Sequence, residues 1–414
     1  MQSHLTRRPR TVRVAAGLAG LAGAVALVAS GCSGDGDASA KPDATSSGGA
    51  AKVDVTLTAA SGSDACELSA DSVPAGPVTF TVTNKDSAAI TEFEILSGDR
   101  IVGEKENLAP GLAPVTFTVT LGGGTYQAYC PGAQTDTVDL TVTGEAATPT
   151  GGVQDVLAQG TTTYGAYVDS QVADMVTAIK ALQAAVDAGD VAAAQKAYAA
   201  ARPFYEKVES DVAGFVLPGS DPTDNTGNLD YLVDMRASNL DPAVGWHGFH
   251  AVERDLFEKK AISADTEKLA AELTANVTKL SDLASGLTYK PEDLANGAAG
   301  LLEEVQANKI KGEEEKYSHL DLVDFAANVE GAEQAFANLE PGLETIDPDL
   351  TKQVTTQFDA VKQTLTAYED PSALGGYKAW TPELRRADAA KLSQAVQALQ
   401  EPLSRIAEKV ATAQ

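Results

Sequence analysis

Residues 172–186 read VADMVTAIKALQAAV, and their apolar side chains recur at spacings of three and four. That period places the apolar side chains on one face, so the stretch predicts an amphipathic α-helix. The polar run DAGD then ends the helix. Similar stretches follow as far as the last residue, which predicts an all-α domain of seven or more helices over residues 155–414. The further stretches are 191–215, 264–287, 291–310, 320–339, 350–368 and 381–414.

One irregular region, from about residue 217 to residue 244, interrupts these helices. It opens with the polar sequence LPGSDPTDNTGNLD. A long polar loop inside a helix bundle is often functional, so this region is a candidate part of a binding site.

Upstream of the helices, apolar side chains recur at every second residue instead of with the 3.6-residue period of a helix. Residues 77–84 (PVTFTVTN) and 114–121 (PVTFTVTL) alternate apolar with polar side chains and are rich in Val and Thr, which predicts β-strands. Breaks with Gly, Pro, Asn and Asp recur at the spacing of a sandwich. The sequence therefore predicts a small β-sandwich over residues 53–144 and a linker over residues 145–154. The other predicted strands are 53–60, 90–96, 125–130 and 137–144.

The N-terminus has the pattern of an export signal. Four arginines precede an apolar run at 14–29, which is shorter than the roughly 20 residues that cross a bilayer. The run ends in Ala29-Ser30-Gly31-Cys32, which resembles a bacterial lipobox. We expect a signal peptide at 1–31, a lipidated Cys32 and a flexible tether at 32–52, with plain secretion as the alternative. The protein would then be extracytoplasmic and anchored to the outer face of the cell membrane, after export by either the Sec or the twin-arginine route.

The overall charge limits the choice of partners. The chain has 58 acidic and 31 basic residues, a formal net charge of −27. Removal of the signal takes away four arginines and no acids, which moves the charge to −31. Such a surface argues against nucleic acid and favours cations or basic proteins, although solubility alone would account for much of it.

Histidine is rare, and only His247, His250 and His319 lie beyond the signal. In the sequence HGFHAVE, His250 and Glu253 are three residues apart and share one face of a helix. An imidazole beside a carboxylate suits iron, zinc or manganese, but the same spacing occurs on many solvated helices. Bundles build metal sites from such groups on several facing helices. The further candidates are Glu206 and Glu209, Asp230 and Asp234, and the run KIKGEEEKYSHLD at 309–321 with Glu313 and Tyr317.

The β-sandwich presents a different candidate. The sequence YQAYC at 126–130 resembles the ligand loop of cupredoxins, yet no histidine lies between residues 5 and 246, which excludes type 1 copper. Cys66 and Cys130 remain, either as a structural disulfide or, with Glu92, as a secondary site for copper or iron.

Two longer segments carry a family resemblance. GFHAVERDLF at 248–257 and GLLEEVQANKIKGEEEKYSHLDLVDFAANVEG at 300–331 resemble the EfeO family of extracytoplasmic components of EfeUOB iron-uptake systems. The resemblance extends over essentially the whole mature length. It implies a degenerate, cupredoxin-like β-sandwich followed by an imelysin-like double helix bundle with a cleft. It also implies iron handling for an EfeU-type membrane permease, assisted by an EfeB-type haem peroxidase.

The same resemblance assigns site residues. His250 and Glu253 match the HxxE ligands, and Cys66, Glu92 and Cys130 match the positions of a β-domain site. That second site is short of a carboxylate, because Thr125 stands where some relatives have Glu. The remaining expected residues of the helical site are Glu206 or Glu209, Asp234, Glu313 and, lining the cleft, Tyr317.

The resulting hypothesis is an iron-binding lipoprotein, not an enzyme, that captures Fe2+ or Fe3+ for a permease. Carboxylates with one imidazole favour iron over Cu(I), with copper or zinc as competing metals. One alternative is a zinc metallopeptidase, which needs HExxH or HxxEH; Arg254 breaks the second pattern, and His247 would have to supply the second histidine. Another is a metal- or polysaccharide-binding module, which the acidic charge opposes for polyuronates.

Overall fold

The computed structural model describes residues 49–60, 63–98, 100–146 and 150–413, all within one compact unit. A sheet domain (residues 49–146) precedes a helical domain (residues 150–413), which confirms the predicted fold class. The predicted signal peptide and Cys32 lie outside the described residues, as does most of the tether. Among the helices that are described, none is both long and apolar enough to cross a membrane.

The sheet domain has two sheets packed around an aromatic core. The strands are β1 (Ala51–Ala60), β2 (Ser63–Leu68), β3 (Ser72–Pro74), β4 (Gly76–Asn84), β5 (Phe93–Ser97), β6 (Arg100–Lys105), β7 (Val115–Leu121), β8 (Gly124–Tyr129) and β9 (Thr137–Thr143). One sheet has the strand order β2-β1-β4-β7 and the other β3-β9-β8-β5-β6. Alternation turns Phe80 and Phe117 inward, where their ring centroids lie 5.2 Å apart beside the buried Phe93.

The helical domain buries the apolar faces that the sequence predicts. The helices are α1 (Gly152–Asp187), α2 (Val191–Glu206), α3 (Glu209–Val212), α4 (Leu229–Asp234), α5 (Gly248–Glu253), α6 (Ala264–Ala284), α7 (Pro291–Glu304), α8 (Asp321–Ile346), α9 (Pro348–Leu365), α10 (Pro382–Leu403) and α11 (Ile406–Thr412). The longest of them, α1, begins at Gly152, inside the predicted linker, and packs against α2, α6 and α8. Two π-helical turns, Arg254–Lys259 and Val305–Lys309, continue α5 and α7.

The two domains make direct contact. The buried ammonium group of Lys105 on β6 donates to both carboxylate oxygens of Glu303 on α7, at 2.7 and 2.8 Å. The amide of Asn296 donates to the backbone carbonyl of Thr118 at 2.6 Å. These bonds hold β6 and β7 against α7, and a cavity remains beside them.

Candidate metal centre

Three buried side chains from separate segments converge in the helical domain. Asp234 ends α4, His250 lies on α5, and Glu314 lies in the loop after the second π-helical turn. One ligand atom from each lies within 4.8 Å of the others, and this is the one such group of three in the described ranges. Nε2 of His250 is 3.1 Å from Oε1 of Glu314 and 3.5 Å from Oδ1 of Asp234. An imidazole nitrogen with two carboxylate oxygens suits iron, zinc or manganese. We call this group the triad.

A glycine determines where α5 begins. Gly248 has φ +77°, and a Cβ atom there would lie 2.2 Å from the backbone oxygen of Val233. Only glycine allows both this left-handed backbone and this close approach. Since Val233 precedes Asp234, the contact brings α5 against the end of α4 and His250 against Asp234.

Glu253 orients the imidazole from its other side. Its Oε2 atom lies 3.3 Å from Nδ1 of His250, and its Oε1 atom accepts backbone N–H bonds from Tyr317 and Ser318, both at 2.7 Å. A histidine that ligates a metal usually bonds a carboxylate through its second nitrogen, which fixes the ring. Glu253 therefore joins α5 to the loop that presents Glu314.

A fully buried arginine compensates part of the negative charge. Arg202 on α2 packs over the ring of Phe249, with its guanidinium carbon 4.9 Å from the ring centroid. Because a buried cation is stable only when it is paired, the surrounding carboxylates account for its position. Its carboxylate partners are Glu206 and Asp234, Glu315 at 3.0 Å, Asp324 at 3.1 Å and Glu314 at 3.6 Å.

Two further cations, Lys309 and Arg236, pair with carboxylates of this region. The buried Nζ atom of Lys309 is 3.0 Å from Glu206 and 3.7 Å from Glu314. Arg236 pairs with Glu304 at 2.8 Å and with Glu314 at 3.2 Å. Lys309 ends the π-helical turn after α7, and such turns occur often at functional sites.

Carboxylates outnumber these cations. Six buried carboxyl groups pair with three cationic side chains, Arg202, Arg236 and Lys309, and a seventh, Glu253, pairs with His250. Ionised carboxylates are costly to bury without compensation, so the surplus must be neutralised by protons or by a metal cation. The seven are Glu206, Glu209, Asp234, Glu253, Glu314, Glu315 and Asp324.

The pKa values follow this imbalance. Burial raises the pKa of Asp234 to about 7, although Arg202 and His250 act against the rise. Burial and the charge of Glu253 raise the pKa of Glu315 to about 7. Burial disfavours the charged form of His250, but Asp234, Glu253 and Glu314 outweigh it and raise the His250 pKa well above its usual value. The triad therefore holds protons near neutrality that a metal would displace.

The structure brings some of the predicted residues together and separates others. His250 and Asp234 belong to the triad, and Glu253 contacts His250. Glu206 and Glu209 face Lys309, with Glu209 at 3.5 Å, rather than the imidazole. Glu313 is exposed, whereas its neighbour Glu314, which the sequence did not single out, is buried in the triad.

The aromatic and histidine candidates near the triad have other contacts. The ring of Tyr317 packs against Trp246 with centroids 6.3 Å apart, and it is the backbone of Tyr317 that reaches Glu253. Nδ1 of His247 lies 3.2 Å from the carboxylate of Glu272. The second histidine that a zinc peptidase requires is therefore not beside His250.

In the sheet domain, Cys66 and Cys130 form a disulfide. It joins β2 of one sheet to the end of β8 in the other. Its sulfur atoms are therefore not free thiolates, the form in which cysteine binds metals. Glu92 lies apart from them, in the wall of the cavity between the domains.

Comparison with known proteins shows the family to which the chain belongs. The imelysin family model matches residues 160–406. The chain is 35% identical over 342 residues to the iron uptake system component EfeO of Yersinia pseudotuberculosis, covering 82% of this chain and 87% of that protein. It is 34% identical over 346 residues to EfeO of Escherichia coli O1:K1, covering 82% of this chain and 88% of that protein. The chain therefore belongs to the EfeO family of iron uptake system components, and its helical domain is an imelysin domain.

Proposed function

We propose that this protein binds iron at the triad of Asp234, His250 and Glu314 and delivers it to a membrane permease. The observation that carries the proposal is the convergence of one imidazole and two carboxylates in a buried region where acids outnumber cations. Oxygen and imidazole ligands suit Fe2+ and Fe3+, and the absence of a thiolate from the triad disfavours Cu(I).

The relatives, which are named as iron uptake components, support a cellular setting for this proposal. The protein would act as a binding and transport component of an EfeUOB-type system rather than as an enzyme. Its partners would be an EfeU-type permease and an EfeB-type haem peroxidase. The lipobox-like sequence at 29–32 would keep it at the outer face of the cell membrane.

The metallopeptidase alternative has less support. A zinc peptidase uses two histidines and a third ligand, with a glutamate as general base beside the metal-bound water. Here His247 pairs with Glu272, and one oxygen of Glu253 is occupied by two backbone N–H groups. The triad has a single imidazole, which fits a reversible iron site better.

Iron binding by two histidine variants tests the proposal. We would titrate the purified full-length chain with Fe2+ under anaerobic conditions and with chelated Fe3+ in air, and compare His250→Ala with His247→Ala. The proposal predicts that His250→Ala loses one equivalent of iron and that His247→Ala retains it. Equal binding by the two variants would refute the triad, and tight zinc binding with peptide hydrolysis would favour the peptidase.

A further inference from the structure

The two oxygens of the Glu314 carboxylate contact different groups. Oε1 lies 3.1 Å from Nε2 of His250, inside the triad, whereas Oε2 accepts a hydrogen bond from Nη1 of Arg236 at 3.2 Å. We propose that Arg236 is a positioning residue that limits Glu314 to one metal-binding oxygen, and that it thereby makes the triad select Fe2+ over Ca2+. This proposal rests on the proposed iron-binding function.

The chain just after α4 determines where Arg236 lies. Asp234 is the last residue of α4, and Met235 leaves the helical conformation with φ −59° and ψ 122°. The indole N–H of Trp246 donates to the backbone carbonyl of Met235 at 2.8 Å. This bond fixes the segment that brings both Asp234 and Arg236 into contact with the triad.

A second carboxylate holds the guanidinium of Arg236 in place. Nη1 of Arg236 donates to Oε2 of Glu304 at 2.8 Å, and the same oxygen accepts a bond from the side-chain amide of Asn308 at 2.6 Å. The side chain of Arg236 is only 15% exposed. Because a buried cation is stable only when it is paired, Arg236 stays between Glu304 and Glu314 rather than turning to solvent.

Oε2 of Glu314 has a second cationic neighbour. The buried Nζ atom of Lys309 lies 3.7 Å from it. A metal ion that bound Glu314 through both oxygens would have to displace Arg236 from Oε2 and approach the charge of Lys309. Repulsion between like charges opposes that arrangement, so Oε1 is the oxygen that the protein offers to a metal.

The number of ligand atoms decides which cation this arrangement favours. Ca2+ takes about six to eight oxygen ligands and often binds carboxylates through both oxygens. Imidazole suits iron, whereas oxygen ligands suit Ca2+. A triad with one imidazole nitrogen and a single oxygen from Glu314 therefore suits Fe2+, and Ca2+ would gain more than Fe2+ from the oxygen that Arg236 occupies.

The test compares Arg236→Met with Arg254→Met in the full chain, with anaerobic Fe2+ and Ca2+ as the two probes. Arg254 is the matched control, because it follows Glu253 in the chain but pairs with Asp255, outside the triad. Loss of a positive charge alone would raise both affinities together, so the ratio of the two affinities is the decisive quantity. Arg236→Met should raise the affinity for Ca2+ relative to Fe2+ by at least about tenfold, and Arg254→Met should leave the ratio unchanged.

An unchanged ratio in Arg236→Met would overturn the proposal. If that variant does not fold, a crystal structure of the unmodified chain with Fe2+ bound gives the answer. Glu314 should bind the ion through Oε1 alone with Arg236 still on Oε2, and binding through both oxygens would overturn the proposal. Failure of the iron site itself looks different: His250→Ala would then keep its iron, whereas it loses one equivalent if only the role of Arg236 is wrong.

Discussion

Nε2 of His250 lies 3.1 Å from Oε1 of Glu314, although 64 residues separate them in the chain. Glu253 holds the opposite nitrogen of the ring, so the imidazole is positioned from both sides. Three short segments, α4, α5 and the loop after the second π-helical turn, bring these groups into a buried space. The proposed iron site depends on this convergence.

Iron binding should release protons. Because Asp234, Glu253 and Glu314 outweigh the effect of burial and raise the pKa of His250, the metal must displace a proton from the ring. Affinity for Fe2+ should therefore rise with pH between about pH 5 and 8. Calorimetry in two buffers of different ionisation enthalpy would count the protons, and an affinity independent of pH would contradict the prediction.

Gly248→Ala should weaken iron binding. The variant residue would keep an unfavourable positive φ and would also push α5 away from Val233. Gly286→Ala is the matched control, because Gly286 has φ +79° but nothing within 4 Å of an added Cβ. Titration with Fe2+ should show a loss of about tenfold or more for Gly248→Ala alone. Equal affinity in both variants would mean that this contact does not position His250.

The metal-free protein should become less stable as pH rises. Burial and the facing acids raise the pKa values of Glu94 and Glu104 from 4.5 to about 8. The folded state therefore holds protons that the unfolded state loses above pH 4.5, and this stabilisation disappears as pH approaches 8. The free energy of unfolding should fall by up to about 1.4 kcal/mol per pH unit for each group.

Urea unfolding with a chelator present would measure this slope between about pH 5 and 8. The variant Glu94→Gln with Glu104→Gln should flatten the slope and be the more stable protein at the alkaline end. The exposed pair Glu67→Gln with Asp139→Asn should follow the unmodified chain. A double variant with the original slope would show that these two groups do not titrate in that range.

Arg202→Met should destabilise the metal-free fold. Its guanidinium is fully buried among five carboxylates, and removal of one partner from such a network costs about 3–5 kcal/mol. Arg386→Met, at an exposed pair with Glu383, should cost less than about 1 kcal/mol. Iron should restore part of the stability of Arg202→Met, because it replaces missing positive charge. Thermal unfolding with and without Fe2+ would measure both effects. Equal losses of stability in Arg202→Met and Arg386→Met would show that the buried ion pairs of Arg202 do not stabilise the fold.

The periodicity of the sequence predicted the main architecture. Strict alternation marked β4 and β7, and the 3.6-residue period marked the long helices. The strands β2, β3 and β6 were missed because their residues do not alternate, and β2 has mostly half-buried side chains. These three strands form because they pair with neighbouring strands, and the local sequence does not show which strands will be neighbours.

The site was predicted in part. The three-residue spacing placed His250 and Glu253 on one face because both lie in one helix. In the run GEEEK, no helical period selects among the acids, since the backbone there is a loop, so Glu314 was not distinguished from Glu313. Arg202 and Lys309 resemble ordinary surface cations in sequence, and only the packing of α2 and the π-helical turn buries them.

The most direct test of the iron site compares two adjacent residues, Glu314→Gln and Glu313→Gln. Both changes remove one negative charge from the same loop, but only Glu314 contributes an oxygen to the triad. Anaerobic Fe2+ titration of the full chain should show that Glu314→Gln loses about 100-fold or more in affinity, while Glu313→Gln binds as the unmodified chain does. Equal affinity in both variants, or a loss confined to Glu313→Gln, would contradict the assignment of the triad as the iron site.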